Sequence, residues 1–428
     1  MRRRTAVAPE ICKVKVMRIF RIFRLAALLA AVSSFVPLVI RMDMALAADN
    51  TVRAEVGKPL QAAQELIKQQ KYREALAKLR EAEAVGDLTE FENGVIEQLR
   101  GAAAAGSGDY RTAAKSYEAV LAAGRPPAEP LKLIQAIAGF YYQAKDYPKA
   151  ASWVNRYVSE GGSDPQTRAL LAQSYYLAGD YTAAGKTLRE QIKEEEGAHR
   201  PVTEAQLQLL LSTGVKGNDE ATTVAALEKL VIHHPTPEYW TELLRRAGAG
   251  GKLGGHFALD RGRLALAVGA LSGADAYVDF IELALQAGYP GEAKAVIDKG
   301  FGAGILGTGA DADRHKRLRD LATRNASEDL RGLAGAEKEA AARPDGGALV
   351  SAGVTYLGYG QPDKAISLIE QGLARGGVKS PEEARLHLGR AYLAAGRKDK
   401  AAQAFRSVQG TDGAASLAHL WGLLASAG

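Results

Sequence analysis

Residues 302–307, Gly302-Ala303-Gly304-Ile305-Leu306-Gly307, have the G-x-G-x-x-G spacing with which a backbone wraps the pyrophosphate of a dinucleotide. That chemistry needs a strand in front of the glycines. Glu292 to Lys299 reads as helix, so the glycines are predicted to form a loop and to bind no cofactor. Asp311 and Asp313 resemble the start of a calcium loop, but Lys316 stands at its glycine position and Ala322 at its closing glutamate. His233 and His234, with Glu238 nearby, are of metal-binding types. No H-E-x-x-H spacing and no neighbouring cysteine completes a ligand set, and the pair reads as a linker. Arg314, His315, Lys316, Arg317 and Arg319 form a small basic patch suited to water or to an acidic partner. No G-x-S-x-G or other nucleophile context occurs. The chain is therefore expected to be no enzyme, with no catalytic, cofactor or metal site.

The elements around these residues are set by a repeat. Gly-x-x-x-x-Ala returns at Gly108–Ala113, Gly179–Ala184, Gly288–Ala293, Gly360–Ala365 and Gly396–Ala401, about every 36 residues. Gln70–Ala75 and Lys145–Ala150 keep the alanine alone. A fixed period of 20–50 residues marks stacked supersecondary units. Four residues after each alanine stands a large side chain: Leu79, Tyr117, Val154, Leu188, Ile297, Ile369 or Phe405. Positions i and i+4 share one helix face, so alanine admits a neighbour and the larger residue fills the gap. Nine residues before the alanine stand Tyr141, Tyr175, Tyr356 and Tyr392, and twelve before it Gly101, Ala138, Ala172, Gly353 and Gly389. The unit is helix, tight turn, helix. Prolines such as Pro165, Pro201, Pro237, Pro344 and Pro381 punctuate the first helices.

This order of small residue, tyrosine, Gly-x-Tyr-x-x-Ala and large residue resembles the tetratricopeptide repeat (TPR). Gly179-Asp180-Tyr181-Thr182-Ala183-Ala184 after Tyr175-Tyr176 carries the likeness best. The resemblance implies an all-α, right-handed α-solenoid of about ten helix–turn–helix repeats over residues 48–411. Ala414 to Ala425, within 412–428, would form a terminal helix covering the stack. Residues 201–272 and 310–343, within a divergent middle of about 201–343, keep helical spacing and lose the signature. Their equivalent positions are placed at Ala221, Ala258 and Asp329, and the glycine clusters 248–255 and 300–309 are expected to be loops.

Residues 1–47 read as a signal peptide: basic residues to Arg24, an apolar run Leu25 to Ile40, and a small-x-small site at Ala45-Leu46-Ala47. The run is short for a membrane span and contains Pro37. Met17 would give a leader of more ordinary length. Nine Lys or Arg against two acidic residues put +7 in the leader of a chain whose total is +6, leaving −1 for the rest. Nucleic-acid binding thereby loses its electrostatic basis. Cys12, the one cysteine, also lies in the leader, so the remainder has no disulfide or thiol chemistry.

A protein–protein interaction scaffold is the function this implies, periplasmic or secreted and at most peripheral to the membrane. The resemblance further implies that the first helices line a groove. Carrying its groove positions over gives Lys132, Gln135, Tyr142 and Gln143 in one unit, and Gln166, Gln173 and Tyr176 in the next. The carboxylate clamp of some relatives is missing, since Gln135 and Gly139 occupy its positions. Expected partners are proteins or peptides of a cell-envelope complex serving polysaccharide export, outer-membrane assembly or energy-coupled transport. The alternative is an enzyme or glycan-binding protein that uses residues 248–325.

Overall fold

A computed structural model describes residues 51–123, 129–249, 253, 255–411 and 413–427. The leader, Pro126-Pro127, Gly250, Gly251 and Gly254 lie outside the described residues. Within them the fold is all-α: twenty α-helices, one 3-10 turn and no strand. None of these helices is long and apolar enough to cross a membrane. The chain divides into two compact units, Met1–Gly179 and Asp180–Gly428.

The first unit contains three helix hairpins, α1 (Ala54–Lys68) with α2 (Tyr72–Glu83), α3 (Glu90–Ser107) with α4 (Tyr110–Ala122), and α5 (Pro130–Gln143) with α6 (Tyr147–Ser159). Helix α7 (Pro165–Ala178) follows. The second begins with α8 (Tyr181–Gly197) and runs through hairpins α9 (Glu204–Lys216) with α10 (Glu220–His233), α11 (Pro237–Gly248) with α12 (Ala258–Ala267), and α13 (Ala274–Gln286) with α14 (Pro290–Gly302). A single helix, α15 (Ala312–Ala342), comes next. Two further hairpins, α16 (Gly347–Gly358) with α17 (Pro362–Arg375) and α18 (Pro381–Ala394) with α19 (Lys398–Arg406), precede the terminal α20 (Gly413–Ser426).

The repeat works as its spacing requires. All seven alanines, Ala75, Ala113, Ala150, Ala184, Ala293, Ala365 and Ala401, are fully buried, and every large partner four residues on is buried. The small residues lie directly against those partners. A Cβ added at Gly101 would stand 2.4 Å from the Tyr117 ring, at Gly389 2.4 Å from Phe405, and at Gly353 2.6 Å from Ile369. Turn glycines have a backbone reason: Gly108, Gly179, Gly288, Gly360 and Gly396 are all left-handed, with φ between 71° and 85°. Gln70 and Lys145 adopt the same conformation at φ near 60°, where a side chain is tolerated at some cost in strain.

The divergent middle departs from the expected register. Ala221 is exposed, and the buried position of that hairpin is Thr223, with Leu227 beneath it. Asn218 supplies the left-handed turn at φ 52° and Asp219 caps α10 by accepting from the Thr222 N–H at 3.0 Å. Asn and Asp do there what Gly-Asp does at Gly179-Asp180, two residues later than predicted. Ala258 is only half-buried at the start of α12. Asp329 marks no turn: α15 is one helix of 31 residues in place of a hairpin. No glycine or proline lies between Ala312 and Arg331 to break it, and His315, Ala322, Ala326, Leu333 and Ala340 make one buried stripe along its length. Gly300 and Gly302 belong to α14, not to a loop; a Cβ at Gly300 would press on Leu306 at 2.7 Å. His315 is buried and accepts the Gly307 N–H at 3.2 Å, so it leaves the basic patch.

Candidate functional site

The expected groove residues lie on α5 and α7 of the first unit. Pro165 starts α7, and Asp164 caps it by accepting from the Thr167 N–H at 2.7 Å. This fixes the face that meets α5. Gln135 Nε2 donates to Thr167 Oγ1 at 2.7 Å and to Asp164 Oδ2 at 3.2 Å. Two turns further along, the Tyr142 hydroxyl donates to Gln173 Oε1 at 3.1 Å, and its ring meets Tyr147 edge-on at 5.6 Å. Burial, with a smaller contribution from Tyr147, raises the Tyr142 phenol above its usual range. Gln135, Tyr142 and Gln173 thus form one row across adjacent first helices, each half-buried. Tyr176 is half-buried one turn beyond Gln173, and Gln143 is half-buried at the end of α5. Lys132 is exposed and pairs with Glu129 at 2.5 Å, one turn outside the row. Phenol and amide groups of this kind can hydrogen-bond a peptide backbone while the ring covers an apolar side chain.

The second unit gathers charges that the repeat pattern does not announce. Arg263 on α12 donates to both oxygens of Glu292 on α14, at 2.6 to 3.1 Å, and to Asp260 one turn back at 2.8 Å. Its guanidinium also covers the Tyr289 ring at 4.9 Å. From α18, His387 Nδ1 lies 3.7 Å from Asp260, and Arg390 lies 3.6 Å from Asp260 and 3.7 Å from Glu292. All five side chains are nearly buried, the most open being Glu292 at 13%. Burial would raise both carboxyls. Around Asp260 the positive groups His387 (when protonated), Arg263 and Arg390 outweigh it and hold the carboxyl at about 2. Arg263, then Arg390, likewise lower Glu292. Burial brings His387 down to about 4, and burial together with Arg263 brings Arg390 down to about 10.

Such carboxylates are committed to ion pairs. A general acid needs a carboxyl raised toward neutral pH, and both here are lowered. The histidines noted in the sequence are engaged elsewhere: His234 Nε2 contacts the Val202 carbonyl at 2.9 Å, and His233 lies 3.4 Å from Glu196. Among the described residues no three His, Cys, Asp or Glu side chains are grouped as metal ligands. Asp260, Arg263, Glu292, His387 and Arg390 were not singled out by sequence reasoning. Arg263 three residues after Asp260, on an apolar helix, was the one local signal available.

The family model described as Tetratricopeptide repeat matches residues 99–166 and 351–416, that is, α3 to the start of α7 and α16 to the start of α20. No curated protein matches in sequence. Solved structures overlay loosely. A structure of Naa15/Naa10 bound to HypK-THB is 17% identical with a TM-score of 0.29, covering 85% of this chain; the chain spans 58% of that one. A tetratricopeptide repeat protein from Parabacteroides merdae is 12% identical with a TM-score of 0.20, over 77% of this chain and 98% of that one. The P58(IPK) TPR domain is 14% identical with a TM-score of 0.22, over 87% and 98%.

Proposed function

We propose that this chain is a non-enzymatic scaffold that binds partner proteins or peptides along the first helices of its tetratricopeptide repeats. The observation carrying this reading is the row Gln135–Tyr142–Gln173, which two adjacent first helices build at the end of a segment the repeat model matches, Gln135 and Tyr142 inside it and Gln173 just beyond it. Tyr176 extends the row and Lys132 borders it. A peptide lying across it would take hydrogen bonds from the amides and cover the half-exposed tyrosine rings. Large aromatic side chains of this kind recur among binding hot spots.

The cell envelope of a bacterium is the proposed setting, supported by the basic, apolar and small-x-small order of residues 1–47. The partners are proposed to be components of an envelope complex for polysaccharide export, outer-membrane assembly or energy-coupled transport. N-terminal sequencing of the protein recovered from cells tests the setting: a start near Ala48 supports export and removal of the leader, and an intact Met1 or Met17 start overturns removal. A Tyr142→Ala, Tyr176→Ala double variant tests the row. It is expected to keep the parent's helical circular dichroism and to lose a partner that the parent captures from envelope extract, truncation at a hot spot costing about 2 kcal/mol of binding. Undiminished capture by the folded variant would place binding elsewhere.

A further inference from the structure

In a linear array of repeats each unit touches its neighbours. The second unit departs from this. Helix α20, at its C-terminal end, packs against α10 and α12, near its beginning. Three histidine–carboxylate contacts join this end, α18 and α20, to that beginning along a seam. His419 Nε2 lies 2.8 Å from Glu228 Oε1, 191 residues away in sequence. His256 lies 3.5 Å from Glu383, and His387 lies 3.7 Å from Asp260. Arg390 adds its approaches to Asp260 and Glu292 and stands over the Trp421 ring of α20 at 5.8 Å.

His387 is the pivot because its protonation state is written in the geometry. Arg390 lies 3.0 Å from His387 Nδ1, and a guanidinium can only donate, so Nδ1 accepts and carries no proton. The surroundings are balanced without a charge on the ring. From α12 the facing groups are Asp260 and Arg263, from α14 Glu292 with Tyr289 just before it, and from α18 itself Arg390. Two carboxylates meet two guanidiniums. Helix α20 carries no Asp, Glu, Lys or Arg, and its histidine is turned to Glu228. From α17, Glu370 is bound to Tyr392 and Asp363 to Arg397. A proton on Nδ1 would abolish the acceptor for Arg390 and add an uncompensated positive charge inside the seam.

We propose that the seam joining α10 and α12 to α18 and α20 is an acid-released clasp, closed while His387 is neutral and opened when His387 takes up a proton. Opening separates α18 and α20 from α10 and α12 and bares the side of α20 that meets those two helices, while Trp421 keeps its stack on Phe405 of α19. The direction follows from linkage. His387 is held at about 4 in the closed form and returns toward its ordinary 6.5 when exposed, so the open form binds more protons between those values. Closure is therefore complete above pH 6.5 and weakens as the pH falls toward 4. His419 acts with the opposite sign, since Glu228 raises it, but that pair is largely solvated and its effect is small.

Hydrogen exchange of the full-length mature protein at pH 7.5 and pH 5, corrected for the intrinsic rate, reads the clasp directly. The two histidine values give an opening constant for α20 that rises roughly 30-fold across that interval, while amides of α9 and α10 keep their protection. In His387→Gln the amide oxygen supplies a neutral acceptor at both pH values, and α20 is expected to stay protected at pH 5. Unchanged α20 protection in the parent, or equal loss in His387→Gln, overturns the proposal. Should the variant fail to fold at pH 7.5, an imidazole NMR titration of the parent decides: a His387 midpoint below 5 supports the clasp, and one above 6 overturns it.

Discussion

The hairpins α3–α4 and α5–α6 and the stretch α11–α15 solve the same packing problem with different materials. In the former, a glycine or alanine of one helix meets an aromatic or aliphatic side chain of the next, as Gly101 meets Tyr117. Polar contacts between the first helices α5 and α7 are hydrogen bonds of amide, hydroxyl and carboxyl groups, such as Tyr142 to Gln173. In the latter, a buried arginine between two carboxylates joins α12 to α14, and one long helix replaces a hairpin. Apolar packing of small against large is local and tolerates repetition, so it produces a period. An ion-pair cluster must be complete to be stable, because any member left alone is a buried charge. The difference separates positions that can be exchanged between repeats from positions that cannot.

The sharpest way to break the comparison is at Arg263. Arg263→Met removes one of the two guanidiniums shared by Asp260 and Glu292, the one hydrogen-bonded to both, and leaves two carboxylates to Arg390 alone in a nearly buried site. A loss of about 3–5 kcal/mol is expected in denaturant unfolding of the second unit. A loss below 1 kcal/mol would mean that the cluster is hydrated and ordinary. Overpacking the apolar hairpins comes next. Ala184→Leu or Ala365→Leu puts three extra carbons at a fully buried position, costing about 1–3 kcal/mol in the same measurement. Unchanged melting in both would contradict the small-against-large rule. The smallest effect is expected at a helix start. Thr89 and Glu92 form a reciprocal capping box on α3, so Thr89→Ala should cost about 1 kcal/mol, read as a lower melting temperature.

Legibility in the sequence follows the same division. The seven alanines and their large partners were readable because neighbour-to-neighbour packing repeats the same residue types at the same interval. The register slipped at α10 because Thr223 fills the alanine position and Asn218-Asp219 replaces Gly-Asp, a substitution of equal backbone effect and different letters. Helix α15 was read as a pair because its helical spacing is regular throughout. The missing breaker near Asp329 was the contrary signal, and periodicity alone does not weigh it. Of the expected groove residues, Gln135, Tyr142 and Gln173 were readable as lying on adjacent first helices, and the hydrogen bonds that tie those helices had to be seen. The cluster of Asp260, Arg263, Glu292, His387 and Arg390 was beyond reach, since a period records what each unit does to the next. It carries no record of residues more than a hundred positions apart.

The contact between Glu228 and His419 also bears on how the second unit is made. Hairpins such as α16–α17 close over a few residues and can form as soon as their own segments exist, so most of the unit is built from fast, local steps. The seam is different. It joins positions 191 residues apart, and its entropy of closure is met only after the intervening helices have shortened the path between them. During synthesis α20 leaves the ribosome after every other described helix, so those earlier helices must wait with the face that receives it uncovered. Assembly of the second unit is then ordered in time, from many small local closures to one late, long-range one.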